Sequence, residues 1–251
     1  MDLFDETILE EWQNWGLEWE SAEGTMIQTV LLSLVKDAIS RNLFRLFCWG
    51  DTNAGGAKVY WNTIDGLWTR LIASESIASE SGYCGERINN ITALNQTEGT
   101  RAVDYLRNIW EAQSPLLRQM DQANRKFYVT SNIIDNLATY LEDRSGVDSA
   151  IQKLENGQRG YSFRGIEIVE IVAWDVHLAN ADNPHADVMN TAILYTSPKN
   201  HVVGLGSPAE NGQLEMWYSR DHNQNNIRGN MRIGYNYIFC DLQSFSYGLV
   251  S

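Results

Sequence analysis

Residues 25–47 constrain the fold more than any other stretch. Met26/Ile27, Val30/Leu31, Leu34/Val35, Ala38/Ile39 and Leu43 recur at helical spacing, and Leu46/Phe47 follow beyond it. Thr25 and Gln28 stand in a T-x-x-Q capping box ahead of the run. Five to six turns without glycine or proline make a rod of roughly 30–35 Å. The doublets form a broad apolar stripe. They predict a central helix under a sheet, with Ile27, Val30, Leu31, Leu34 and Ala38 buried. Gly50-Asp51-Thr52-Asn53 and Gly55-Gly56 end it with turn residues.

Downstream the pattern alternates between helix and strand, then turns to strands. Val59–Trp61 reads as extended and Ile64–Ile72 as a short helix. Residues 73–99 read as an exposed loop, 100–120 as an amphipathic helix interrupted at Pro115. Lys126–Thr130 is a strand and Ser131–Glu142 a helix. Residues 143–160 are polar, with a short helix around Val147–Leu154. Phe163–Trp174 reads as one strand and Ala179–Asn190 as a loop. Thr191–Thr196, Val202–Leu205, Met216–Ser219 and Ile227–Asp241 are extended. This order predicts α+β architecture with mixed or antiparallel sheets.

The chain of 251 residues is long enough for one large or two small domains. Its net charge of −13 repels duplex DNA, so no sequence-specific nucleic-acid binding is expected. No run of apolar residues is long enough to cross a membrane, and the acidic N-terminus lacks the character of a signal peptide. Without secretion the sequons at Asn90 and Asn95 carry no meaning. Cys48, Cys84 and Cys240 are odd in number and lack CxxC spacing, which favours reduced thiols. Residues 1–24 hold eight acidic side chains, no basic ones, and Trp12, Trp15 and Trp19. They read as a helix over about 3–15 that docks an apolar face on its own domain or on a partner.

Chemistry-bearing constellations are sparse. His177, Asp182, His185 and Asp187 are metal-ligand types, but Asn180, Asn183 and Pro184 make their stretch a loop without helical i, i+4 pairing. Ser219, Asp221 and His222 lack the strained nucleophile turn of a triad and read as a hairpin turn. The glycines Gly204, Gly206, Gly229 and Gly234 lack a phosphate-loop context. Glu167 and Glu170, three apart in a strand, face opposite sides. No metal, cofactor or catalytic residue is expected from these residues.

Four stretches together resemble the major capsid proteins of tailed bacteriophages, the Hong Kong 97-like fold. The helix 25–49, with GDTNAGG and IDGLWTRLI after it, resembles the spine helix and its following segment. The helix 100–113 and KFYVTSNIIDNLATYLED resemble the axial-domain pattern. FRGIEIVEIVAWD resembles an axial strand, and AILYTSPKNHVVGLG, EMWYSRDHNQNNIRGNMRIGYNYI and FSYG resemble the closing strands. The similarity runs over about residues 25–250 and lies in order and spacing. It departs from the family pattern at the start: only about two dozen residues precede the spine helix, where the family has an arm and an extended hairpin loop, so the expected form is one lacking both.

The resemblance implies a peripheral-type domain of residues 1–99 and 236–251 with spine helix 25–47, and an axial-type domain of residues 100–235. It implies a structural, non-enzymatic shell subunit that self-associates into hexameric and pentameric capsomeres, with scaffold or portal proteins as further partners. Its location would be the virion capsid, and the host cytoplasm during assembly. Residues 142–160 would form an exposed loop around the capsomere axis, with Asp143, Arg144, Asp148 and Lys153 as subunit contacts. Trp12, Trp15 and Trp19 are further candidates. The alternatives are another virion or tail structural protein, or a small α/β enzyme with its site in the loop 177–190. The enzyme reading requires His177, Asp182, His185 and Asp187 to converge in one pocket; splayed side chains count against it.

Overall fold

Continuous burial from Thr191 to Thr196 decides the architecture of this computed structural model, which describes residues 26–81, 101–143, 151–153, 159–180, 182–185, 189–205, 214–219, 224–229 and 232–249. Ala192 and Leu194 face one way, Ile193 and Tyr195 the other, and all four are buried. A strand buried on both faces must lie inside a sheet that is covered on both sides.

Among the described residues the helices are α1 (Met26–Trp49), α2 (Leu67–Ser81), α3 (Arg101–Glu111), α4 (Pro115–Gln119), α5 (Ser131–Asp143) and α6 (Val172–Leu178). The strands are β1 (Lys126–Val129), β2 (Ile151–Lys153), β3 (Arg159–Phe163), β4 (Ile166–Glu170), β5 (Met189–Thr196), β6 (His201–Leu205), β7 (Leu214–Ser219), β8 (Gln224–Gly229), β9 (Ile233–Tyr237) and β10 (Gln243–Leu249). Six strands form one sheet in the order β10-β5-β1-β4-β3-β2. Among the described strands of this sheet β1 and β4 run parallel and the other pairs antiparallel. The fold class is therefore α+β with a mixed sheet. β6 with β9, and β7 with β8, make two separate ribbons.

One face of the large sheet carries the aromatic core of Trp49, Trp61, Trp68, Trp174, Phe245 and Tyr247, covered by the last turn of α1, by α2 and by α6. The other face buries Phe127, Val129, Ile166, Ile168, Ile193 and Tyr195 under α3, α4 and α5. The chain divides into two compact units, one of residues 45–203 with 235–251 and one of residues 1–44 with 204–234. In the first unit β10 pairs with β5 along its length, and Phe245 meets Trp68 edge to face at 6.4 Å.

Several expectations need correction. The long helix is continuous, but the face expected to be buried is open: Leu34 is 45% exposed and Ala38 is exposed. The side chains of Ile27, Val30 and Leu31 lie outside the described ones. Burial begins only at Leu46 and is complete at Trp49. Helical periodicity identifies a face that lacks charge; it does not say what covers it. Leu34→Asp should therefore shift chain stability by less than about 0.5 kcal/mol. A thermal melt showing a loss of several kcal/mol would restore the covered face.

The expected single strand 163–174 is instead a hairpin followed by a helix. Arg164 (φ 51) and Gly165 (φ 78) are both left-handed, the backbone of a two-residue type I′ turn between β3 and β4. The chain then starts α6 once Ile171 N–H has bonded Val129 O at 2.9 Å. The expected helix around 147–154 is replaced, at residues 151–153, by edge strand β2, so the polar segment 142–160 is partly sheet and not wholly a loop. Val59–Trp61 is 3-10 helix, because Trp61 turns inward to 1% exposure. Helix α2 runs on to Ser81 where a loop was expected. The extended stretch 227–241 is broken: β8 and β9 are separate strands, and a 3-10 turn Cys240–Leu242 precedes β10. The capping residue Thr25, the expected helix 3–15 and residues 82–100 lie outside the described residues.

Candidate interaction surfaces

The residues with metal-ligand chemistry are engaged separately. The His185 ring is buried beside Trp49, with centroids 6.1 Å apart. Thr69 donates its hydroxyl to Gly50 O at 2.5 Å, so the same oxygen accepts Nε2–H of His185 at 2.8 Å, which fixes that tautomer. Burial holds His185 below the ordinary imidazole range. His177 packs edge-on to Trp61 at 6.4 Å and is also lowered by burial, with Arg45 adding to the shift. Asp182 is exposed and its charge acts on Arg45, and Asp187 lies outside the described residues. Among the described residues no group of three His, Cys, Asp or Glu is placed to hold a metal. The two histidines pack against different tryptophans, His185 against Trp49 and His177 against Trp61.

Glu167 pairs with Lys126 at 2.7 Å on the surface of the sheet, which raises the lysine. Glu170 is exposed at the end of β4. Ser219 ends β7, while Asp221 and His222 lie outside the described residues. Cys48 is buried, and burial pushes its thiol up to about 12, so it carries no thiolate.

A second polar chain, not anticipated from sequence, closes the base of the β6–β9 ribbon. Asn200 clamps the following turn: its Nδ2 donates to Phe239 O at 2.9 Å, its Oδ1 accepts Phe239 N–H at 2.9 Å, and its O accepts Ile238 N–H at 2.9 Å. Thr196 Oγ1 donates to Leu242 O at 2.8 Å and therefore accepts His201 Nε2–H at 3.1 Å. His201 Nδ1 then accepts the Tyr235 hydroxyl at 2.7 Å. The imidazole is neutral, and burial pushes its pKa down to about 4. Below the ordinary value of 6.5 the unfolded chain binds a proton that the folded chain refuses. Stability from this residue is present above about pH 6.5 and falls as pH drops towards 4, by up to about 3 kcal/mol. His177 and His185 act in the same direction. Urea midpoints at about pH 7 and about pH 4.5 should differ less in His201→Gln than in the parent chain; an equal slope would remove His201 from this role.

The clamp presents an apolar rim. Val202, Val203, Ile238 and Phe239 are 45–58% exposed, and Val172 and Val176 on α6 are 56% and 63% exposed. Val202 and Val203 are consecutive, so exposed apolar side chains stand on both sides of β6 at this point, while Tyr235 of β9 is buried in the core.

Of the expected subunit contacts, Asp143 ends α5 and Lys153 ends the edge strand β2. Arg144, Asp148, Trp12, Trp15 and Trp19 lie outside the described residues. A missed residue is Arg125, 7% exposed, whose Nη1 donates to Gln113 Oε1 and to the Tyr195 hydroxyl, each at 3.2 Å. Its signal was available: alternation from Phe127 and Val129 places it on the inner face.

Among the described residues no helix is long and apolar enough to cross a membrane. No protein-family model matches the chain, and no curated protein matches it. Its fold is similar to solved phage structures at low sequence identity. The "Satellite phage P4 procapsid including size determination (Sid) protein" aligns with a TM-score of 0.53 at 10% identity, covering 95% of this chain and 71% of that one. A "Mycobacterium phage Che8" chain aligns more distantly, with a TM-score of 0.43 at 13% identity, over 70% of this chain and 58% of that one. Likeness at this identity concerns the fold.

Proposed function

We propose that this chain is a structural subunit of a tailed-phage capsid shell, with the Hong Kong 97-like fold, that self-associates into hexameric and pentameric capsomeres. The observation that carries the reading is the likeness to a procapsid structure over 95% of the chain. Three features support it: the doubly covered mixed sheet, the open apolar rim, and histidines committed to packing and not to a shared pocket. In this reading the role is non-enzymatic and the location is the virion capsid, with assembly in the host cytoplasm. Residues 1–99 and 236–251 are the peripheral-type part and 100–235 the axial-type part. Asp143, Arg144, Asp148 and Lys153 then lie near the capsomere axis, in opposite-charge contacts that weaken with salt. The similar procapsid structure contains a size-determination protein, which favours an assembly partner of scaffold or portal type here too.

Expression of the gene with its neighbours, followed by gradient sedimentation and negative-stain microscopy, tests this. The expected result is closed particles containing this 28.5 kDa chain as the dominant species. The chain recovered only as monomer, with particles built from another protein, would refute it.

A further inference from the structure

The root of the β6–β9 ribbon is fastened mainly by hydrogen bonds and only slightly by buried apolar surface. The ribbon is a two-stranded sheet of its own, separate from the six-stranded one. Among its described side chains Tyr235 is the buried one, at 8% exposure, while Val202, Val203 and Asn236 are exposed. Tyr235 sits in the aromatic core with Cys48, and its ring stacks on His201 with centroids 6.2 Å apart. A segment with a single buried anchor opens at lower free energy than a sheet covered on both faces.

That fastening depends on a neutral imidazole. Thr196 Oγ1 gives its proton to Leu242 O, so it is the acceptor for His201 Nε2–H. Nδ1 is left bare and accepts the Tyr235 hydroxyl at 2.7 Å, the phenol's one hydrogen bond among the described residues. A proton on Nδ1 would face the O–H that now bonds it. The phenol proton would then turn into the aromatic core, and the imidazolium would stand there without a counter-ion. The surrounding groups supply none. β5 presents the Thr196 hydroxyl, the turn before β10 presents the Leu242 carbonyl, and Tyr235 lies near Cys48 of α1, Arg70 of α2 and Tyr237. Lys199, two residues before His201, is a further cation. Burial is what lowers the imidazole to about 4. The Asn200 clamp joins the ribbon's first strand to the turn after its second and holds no titrating group, so it keeps the two paired.

We propose that His201 and Tyr235 form an acid-sensitive latch: protonation of His201 releases the ribbon root from the aromatic core while the six-stranded sheet stays folded. Above about pH 6.5 neither the open nor the closed root binds the proton, and the latch is shut. Between about pH 6.5 and about pH 4 the open root binds a proton that the closed root refuses, so the open population rises as pH falls. The latch does not depend on what the chain assembles into.

Cys48, buried beside Tyr235, reports the opening. In a C84S/C240S chain it is the one thiol left. Its labelling by 4,4′-dithiodipyridine is followed at about pH 7 and about pH 4.5, each rate taken relative to glutathione at the same pH. Acidification should raise the relative rate at least about tenfold in this parent and less than about twofold in H201Q. The glutamine amide can accept from Tyr235 and donate to Thr196 but does not titrate. A thermal midpoint at neutral pH within a few degrees of the parent's shows that H201Q folds. Y235F, which keeps the ring and loses the bond, should raise the rate severalfold at neutral pH. Tryptophan fluorescence of the same samples reads global unfolding. An equal acid rise in H201Q overturns the latch, as does an unchanged neutral rate in Y235F or labelling that only keeps pace with the loss of folded fluorescence.

Discussion

Trp68→Ala should cost about 3–5 kcal/mol, the range for removing a large buried aromatic. Trp68 is fully buried, stacked on Trp49 at 5.8 Å and edge-on to Trp174 at 5.3 Å and to Phe245 at 6.4 Å. These rings come from α1, α6 and β10, so one substitution loosens the end of the long helix, the crossover helix and the closing strand together. The indole N–H groups of Trp49, Trp68 and Trp174 meet no oxygen or nitrogen acceptor among the described residues. Urea denaturation followed by tryptophan fluorescence reads the change. A loss below about 1 kcal/mol would mean that the cluster is not the core of this unit.

Gly66→Ala should be nearly as damaging, at about 3 kcal/mol. A Cβ at Gly66 would stand 2.7 Å from Leu46 O, 2.8 Å from Gly50 N and 2.9 Å from the Cys48 carbonyl carbon, all backbone atoms. No side chain can turn away to make room. Gly66 N–H also bonds Gly50 O at 2.8 Å, so the two glycines let the end of α1 and the start of α2 approach closely. An unchanged melting temperature in Gly66→Ala would show that this approach is not needed.

Legibility in the sequence followed the range of the physical cause. β1, β5 and α5 were readable because their burial repeats every two or every 3.6 residues within the element. The end of α1 was readable from its turn residues. The Arg164–Gly165 turn was missed because arginine is a poor left-handed residue; Trp110, reached from another element, packs against its side chain. Residues 151–153 were missed because their strand character comes from pairing with β3, and nothing local demands it. The open face of α1 was misjudged for the converse reason: its apolar period is local, but its cover is not. Of the candidate site residues, the histidines of the loop 177–190 had the right chemistry in sequence and the wrong neighbours in space. His201 had no motif, and Arg125 had only its place two residues before Phe127 in the alternation; the packing around them makes them informative.

Cryo-electron microscopy of the particles formed by the expressed gene tests the central claim most directly. The account predicts an icosahedral shell whose fivefold and sixfold clusters are built from this chain, with the six-stranded sheet resolved in each copy and residues 142–160 nearest the cluster axis. A shell in which this chain is absent, or sits as a minor component outside those clusters, would contradict it.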